Sequence, residues 1–268
     1  MSSSNRLSLC RRLPPEVLWV LLVVCCIASP IAYLALDQPV FEWQVQRHSL
    51  HTINIAVEAF RLLGKAWLLV WLLLVWIAMT GRWRQPLVAL LALLILAVPI
   101  SSVKVLVGRP RPKEKIAAMQ KPPESVTENA ELRGHSFPSG DTASTCAVAV
   151  ALAVALAWPW SVAALLTATG IGVMRVVDLA HHPSDVFTGA AIGIACALAA
   201  IHIARHWSPP AIEVWGRKVA IIAAIGMPLV TLFVQQRATA LLFFETYVPL
   251  VLIVWAIAKA RSHVRSQF

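Results

Sequence analysis

Long apolar runs recur along nearly the whole chain, and they limit what it can become more than any other feature. At roughly 20 apolar residues per bilayer-spanning helix, about eight runs can be marked. Together they leave little of the 268 residues for a separate soluble domain. Hydrophobic residues make up 59% of the chain and charged residues 13%, too apolar a balance for a water-soluble protein of this size. The predicted fold class is all-α, a polytopic membrane helix bundle.

Spans are expected at about 16–36, 65–80, 86–107, 141–157, 161–177, 185–204, 218–234 and 239–258. Asp37-Gln38-Pro39 is expected to end the first span, and Trp158-Pro159-Trp160 to form the turn after the fourth. Residues 38–62 mix Trp43, Arg47, His48, His51 and Glu58 with apolar positions, which suits an interfacial helix without a catalytic role. The first run follows Arg6, Arg11 and Arg12 as in a signal peptide. Its length and the lack of a small-residue cleavage site make it a retained span instead.

The net charge of +10 would point to nucleic acid in a soluble protein. Here the basic residues flank spans, as topology signals and partners of anionic headgroups, and no nucleic-acid partner is expected. Cys10, Cys25, Cys26, Cys146 and Cys196 have no metal-site or disulfide spacing and read as small core residues. An even number of spans puts both termini on one side. Counting Lys and Arg in the flanking turns favours the cytoplasm only weakly.

Three clusters carry the chemistry. Lys104 stands near the end of the third span, where an unpaired ammonium costs about 2.5 to 3.5 kcal/mol on insertion scales. Gly108, Pro110 and Pro112 then break the helix, so that Lys104 and Arg111 can reach one anion at the membrane surface. For either residue alone, snorkelling to headgroups explains as much. In the second cluster, His135-Ser136-Phe137-Pro138-Ser139-Gly140-Asp141-Thr142, the first-turn N–H groups and the Ser139 hydroxyl form an anion site where a span begins. In the third, Arg175 precedes His181-His182-Pro183-Ser184-Asp185. Pro183 suits the first helical position, and the Asp185 carboxylate can accept from an imidazole N–H of His181, leaving the other nitrogen free to attack.

In order and spacing these clusters resemble the type 2 phosphatidic acid phosphatase (PAP2) superfamily, from about the third to the sixth span. The family pattern is Lys, six residues, Arg-Pro; then Pro-Ser-Gly-His; then Ser-Arg, five residues, His, three residues, Asp. Lys104 with Arg111-Pro112 fits the first part, and Arg175, His181 and Asp185 fit the third.

The resemblance implies a bacterial inner-membrane lipid phosphatase with its site facing the periplasm or exterior and a six-span core within 1–210; the additional hairpin and basic tail expected over 211–268 lie outside it. Lys104, Arg111 and Arg175 would hold the phosphate, with Ser139 and Gly140 adding hydrogen bonds. His181 would form a phosphohistidine, oriented by Asp185. No cofactor or metal is implied, and oligomeric state is not specified. A phosphotransferase of the same chemistry and a non-catalytic binder of anionic lipids are the alternatives. An oriented histidine favours the enzyme.

Two positions depart from the pattern. Met174 replaces the Ser before the motif arginine, and Asp141 replaces the histidine that in the family protonates the leaving group. That proton is typically worth about 10²- to 10⁴-fold, and a carboxylate beside cations is a poor donor. Four readings stay open: Asp141 kept protonated by burial, His135 in its place, a leaving group that needs no proton, or lost activity. The third tilts the substrate toward a lipid diphosphate such as polyprenyl diphosphate, because a phosphate monoester leaves as a stable anion.

Overall fold

The structure is a computed structural model. It describes residues 13–47, 55–119, 135–206 and 218–227, with Phe243, 247–249 and 251. All regular structure among them is helical: α1 (Pro15–Ala35), α2 (Asp37–Arg47), α3 (Ile55–Leu62), α4 (Ala66–Thr80), α5 (Arg84–Val107), α6 (Pro112–Met119), α7 (Gly140–Ala153), α8 (Trp158–Val177), α9 (Pro183–His206) and α10 (Lys218–Met227). Four of these, α1, α5, α8 and α9, are long and apolar enough to cross a membrane. The chain is a multi-pass membrane protein with an all-α bundle.

The helices differ from the expected bounds in several places. α4 and α7 have 15 and 14 residues, about 21 to 23 Å at 1.5 Å per residue, against a bilayer core of about 30 Å. α7 is buried along most of its length, so it needs no lipid-facing surface of its own. Its helix ends at Ala153, and Trp158-Pro159 opens α8 instead of closing the helix before it. Proline is favoured there because a first-turn N–H has no intrahelical partner to lose. Asp37 likewise begins α2, and the segment read as one interfacial helix contains α2 and α3.

α7 and α9 form the centre, with α1, α5 and α8 packed around them. Lipid tails are as apolar as leucine, so membrane helices associate through close packing of small residues. Gly189 and Gly193 of α9 provide it. A Cβ on them would lie 2.4 Å from the Ser139 carbonyl oxygen and 2.3 Å from that of Ala143. Both helices therefore bring their N-termini to one end of the bundle. α5 stops at that end on Gly108, whose φ of 58° is left-handed, the usual glycine-rich helix termination. Pro110 and Pro112 prevent its resumption.

The expected hairpin over 211–268 lies largely outside the described residues. Its described parts pack on α4: the Trp71 indole N–H donates to the Ala224 carbonyl at 2.9 Å. Phe243 sits edge-on to Trp67 and Trp71.

Candidate active site

Five chain turns meet at the end where α7 and α9 begin: the α1–α2 corner, the α3–α4 turn, the α5–α6 turn, the segment 135–139 and the α8–α9 turn. The last of these sets the histidine. Leu179 takes a φ of 57°, and the N–H groups of Ala180 and His181 both return to the Arg175 carbonyl. Phe41, Ile116 and Leu179 form a small buried cluster against this turn.

His181 is 2% exposed, and its Nδ1 lies 2.6 Å from the Ser136 carbonyl oxygen. An N–H at Nδ1 therefore donates to that carbonyl, which leaves Nε2 with its lone pair. The expected direct bond to Asp185 is replaced, since Asp185 Oδ2 stands 3.8 Å away. Asp185 works one step back, accepting from the Ser136 hydroxyl and, at 2.8 Å, from the His182 N–H. It thus holds the two segments between which the imidazole is fixed.

Arg109 completes this side. Its guanidinium donates to Asp185 Oδ1 at 2.8 Å, to Asp37 Oδ2 at 2.8 Å and to the Ser184 hydroxyl at 2.9 Å. Asp37 also accepts from the Ser184 N–H at 3.0 Å. Asp185 is fully buried, and its charge is compensated in place by Arg109. Burial holds His181 below the ordinary imidazole range, opposed by Asp185 and aided by the positive charges of Arg175 and Arg111. Burial, with Arg109 nearby, brings His182 down to about 4.

The structure gathers the expected anion-binding residues at the start of α7. Ser139 caps the helix, accepting from the Thr142 N–H. Lys104 reaches over Gly140 so closely that a Cβ there would be 3.4 Å from Nζ. The charges of Arg111, Asp141, Lys65 and Arg175 all act on Lys104. Nε of Arg111 and Nη1 of Arg175 are buried and have no hydrogen-bond partner among the described residues. Buried guanidinium donors are nearly always satisfied, so the pair fits an anion with oxygens to offer. Among the described residues no group of three or more His, Cys, Asp and Glu could hold a metal ion.

Asp141 occupies the other side. Its Oδ2 lies 3.0 Å from Lys65 Nζ and 3.2 Å from Arg175 Nε. Both contacts engage the same carboxylate oxygen. His135 is exposed, and its side chain makes none of the contacts that build the site. Arg61 and Arg175 approach Asp178 at 4.0 and 3.7 Å.

Sequence reading missed Asp37, Lys65, Arg109 and Ser136. Asp37 looked like a helix stop and Lys65 drew no reading, and nothing in local spacing says that either faces α7 or α9. Arg109 carried a signal, since it stands two residues from Arg111 in the same Pro-broken turn.

Below the site lies an apolar cavity of about 410 Å³ between α1, α7, α8 and α9, lined by Thr142, Cys146, Gly172, Val176, Pro183 and Phe187 among others. Its upper rim is the first turn of α7, next to Asp141.

The profile of the PAP2 superfamily matches residues 86–208, from the start of α5 to just beyond the end of α9. The crystal structure of LpxE from Aquifex aeolicus is similar with 26% identity and a TM-score of 0.48, over 63% of this chain and 96% of that one. No curated protein matches. The segment that brings Lys104, Arg111, Arg175 and His181 to one end of the bundle is thus the segment that matches the PAP2 superfamily.

Proposed function

We propose that the protein hydrolyses a lipid phosphate through a phosphohistidine at His181. The observation that carries this reading is that buried guanidinium nitrogens of both Arg111 and Arg175 lack a hydrogen-bond partner among the described residues, on two side chains whose charges also reach His181. A buried N–H donor with no acceptor is costly. A phosphate shared by both would satisfy them and put its phosphorus beside a neutral, oriented imidazole.

In this mechanism Lys104, Arg111 and Arg175 hold the non-bridging oxygens, with Ser139 and Gly140 adding hydrogen bonds at the start of α7. His181 Nε2 attacks phosphorus as the bond to the leaving oxygen breaks. Water then attacks the phosphohistidine, the P–N bond breaks, and inorganic phosphate carries away the water's protons. Ser136 keeps Nδ1 protonated, so that Nε2 stays the attacking atom. Asp185 and Arg109 hold that arrangement, and the apolar cavity below the site is suited to the lipid tail.

The leaving-group side favours a lipid diphosphate. Asp141 is committed to Lys65 and Arg175, and a phosphate monoester leaves without needing a proton. We place the site on the exterior or periplasmic face of a bacterial inner membrane, in line with the charge distribution around the spans.

Purified protein in detergent should release phosphate from farnesyl diphosphate with EDTA present, and His181→Ala should reduce release to background. Undiminished release by that variant would refute the nucleophile. Release that requires an added divalent cation would refute the metal-independent mechanism.

A further inference from the structure

The α3–α4 turn brings to the site a cation that none of the three sequence clusters contains. Lys65, the residue just before α4, places its ammonium 3.0 Å from Asp141 Oδ2, and its side chain keeps 35% of its exposure. The placement is tight. A Cβ on the neighbouring Gly64 would lie 2.9 Å from Asp141 Cβ and 3.1 Å from Ile171 Cγ2, so the turn rests directly on the first turn of α7. Arg61, the other basic residue of this turn, is occupied by Glu58 and approaches Asp178. Lys65 alone in that turn is aimed at Asp141.

Its location relative to the nucleophile gives it a role. Arg111 and Arg175 are the cations whose charges reach His181. Arg175 links His181 to the Asp141–Lys65 pair: its carbonyl accepts from the His181 N–H at 3.1 Å, while its Nε lies 3.2 Å from Asp141 Oδ2. Phosphoryl transfer needs attacking and leaving atoms roughly in line on opposite sides of phosphorus. With His181 on one side, the leaving group faces the Asp141–Lys65 pair.

We propose that Lys65 is a substrate-contacting residue whose ammonium holds the phosphate that departs with the lipid when a lipid diphosphate is cleaved. This deepens the phosphatase reading and rests on it. The bond from His181 Nε2 to the terminal phosphorus forms as the bond from that phosphorus to the bridging oxygen breaks. The electron pair stays on the bridging oxygen, now part of a lipid monophosphate. Lys65 keeps its proton throughout and acts as a point charge, which is how lysine commonly serves phosphates. Asp141 is a positioning residue that anchors the ammonium. The ligand class is therefore a diphosphate on an apolar tail, whose second phosphate gives Lys65 something to bind that a monophosphate lacks.

The test compares farnesyl diphosphate with farnesyl monophosphate, which share one tail, on wild type, Lys65→Ala, Lys65→Arg and Asp141→Asn. Losing one preorganised electrostatic contact typically costs about 10²- to 10³-fold in kcat. Lys65→Ala should lose about that much on the diphosphate and at least tenfold less on the monophosphate. Lys65→Arg should keep most of the diphosphate preference, and Asp141→Asn should weaken it by a smaller factor than Lys65→Ala. Equal losses on both substrates, or none, would overturn the proposal, because a merely structural ion pair serves both alike. If Lys65→Ala fails to fold, as judged by its thermal transition in detergent, Lys65→Gln carries the same comparison. His181→Ala keeps the two readings apart. Release by wild type that His181→Ala abolishes sustains the phosphatase whatever Lys65 does, and release that His181→Ala leaves intact removes both.

Discussion

The two sides of the site are built differently. Around His181 the anchoring groups are enclosed and paired: Asp185 is fully buried, and Arg109, Ser136 and the His182 N–H satisfy its carboxylate. Around Asp141 the groups are half-open. Lys65 retains a third of its side-chain exposure and Asp141 about a sixth. The enclosed side fixes one atom, Nε2 of His181, in one state. The open side presents charges that a substrate can approach and exchange. A nucleophile must be held against alternatives, whereas the groups facing a leaving group must accept a ligand that arrives and departs.

Breaking the enclosed side should have the largest effects. His181→Ala is expected to abolish phosphate release. Arg109→Ala leaves the buried Asp185 charge uncompensated, which typically costs about 3 to 5 kcal/mol. It should lower the thermal transition in detergent and abolish activity with it. A transition that does not move would mean that Asp185 is neutral, or paired otherwise.

Gly189→Ala tests the close approach of α9 to α7. The added methyl would lie 2.4 Å from the Ser139 carbonyl oxygen, and overpacking of this kind typically costs about 1 to 3 kcal/mol. Because Ser139 begins the anion site, kcat should fall as well as stability. Ser136→Ala should be milder. It removes the hydroxyl that donates to Asp185 but keeps the carbonyl that fixes His181. A loss of about 1 to 3 kcal/mol in stability, with Nδ1 still protonated by NMR, would locate the imidazole's anchor in the backbone.

Much of this was legible in the sequence, for reasons that differ by residue. Apolar runs report spans because a bilayer imposes one length, and Pro183 and Gly108 mark helix ends through local backbone chemistry. Lys104, Arg111, Arg175 and His181 were readable because charges at span ends are costly and therefore informative. The partners that complete them were not. Asp37 and Arg109 are 72 residues apart and Lys65 and Asp141 are 76 apart. Only tertiary packing joins them. The end of α7 was placed too late, at about 157 against Ala153, because composition shows that a segment is apolar but not where its helix stops.

The smallest expected effect concerns pH. Burial lowers the affinity of His181 and His182 for a proton, while an unfolded histidine titrates near about 6.5. Below that pH the unfolded chain binds more protons than the folded one, so stability should decline as pH falls from about 6.5. The nucleophile should stay neutral, and kcat on farnesyl diphosphate should hold to lower pH than an exposed imidazole would permit. A kcat that drops at the ordinary histidine value would show that the enclosed side is wetter than its geometry requires.

The most direct test is to look for the covalent intermediate. Farnesyl diphosphate carrying ³²P in its terminal phosphate is mixed with the purified protein and quenched in base within milliseconds. The account predicts protein-bound label that survives base, is lost in acid, maps to His181 and is absent from His181→Ala. Phosphate released by wild type with no label on the protein at any quench time, together with full activity in His181→Ala, would contradict it.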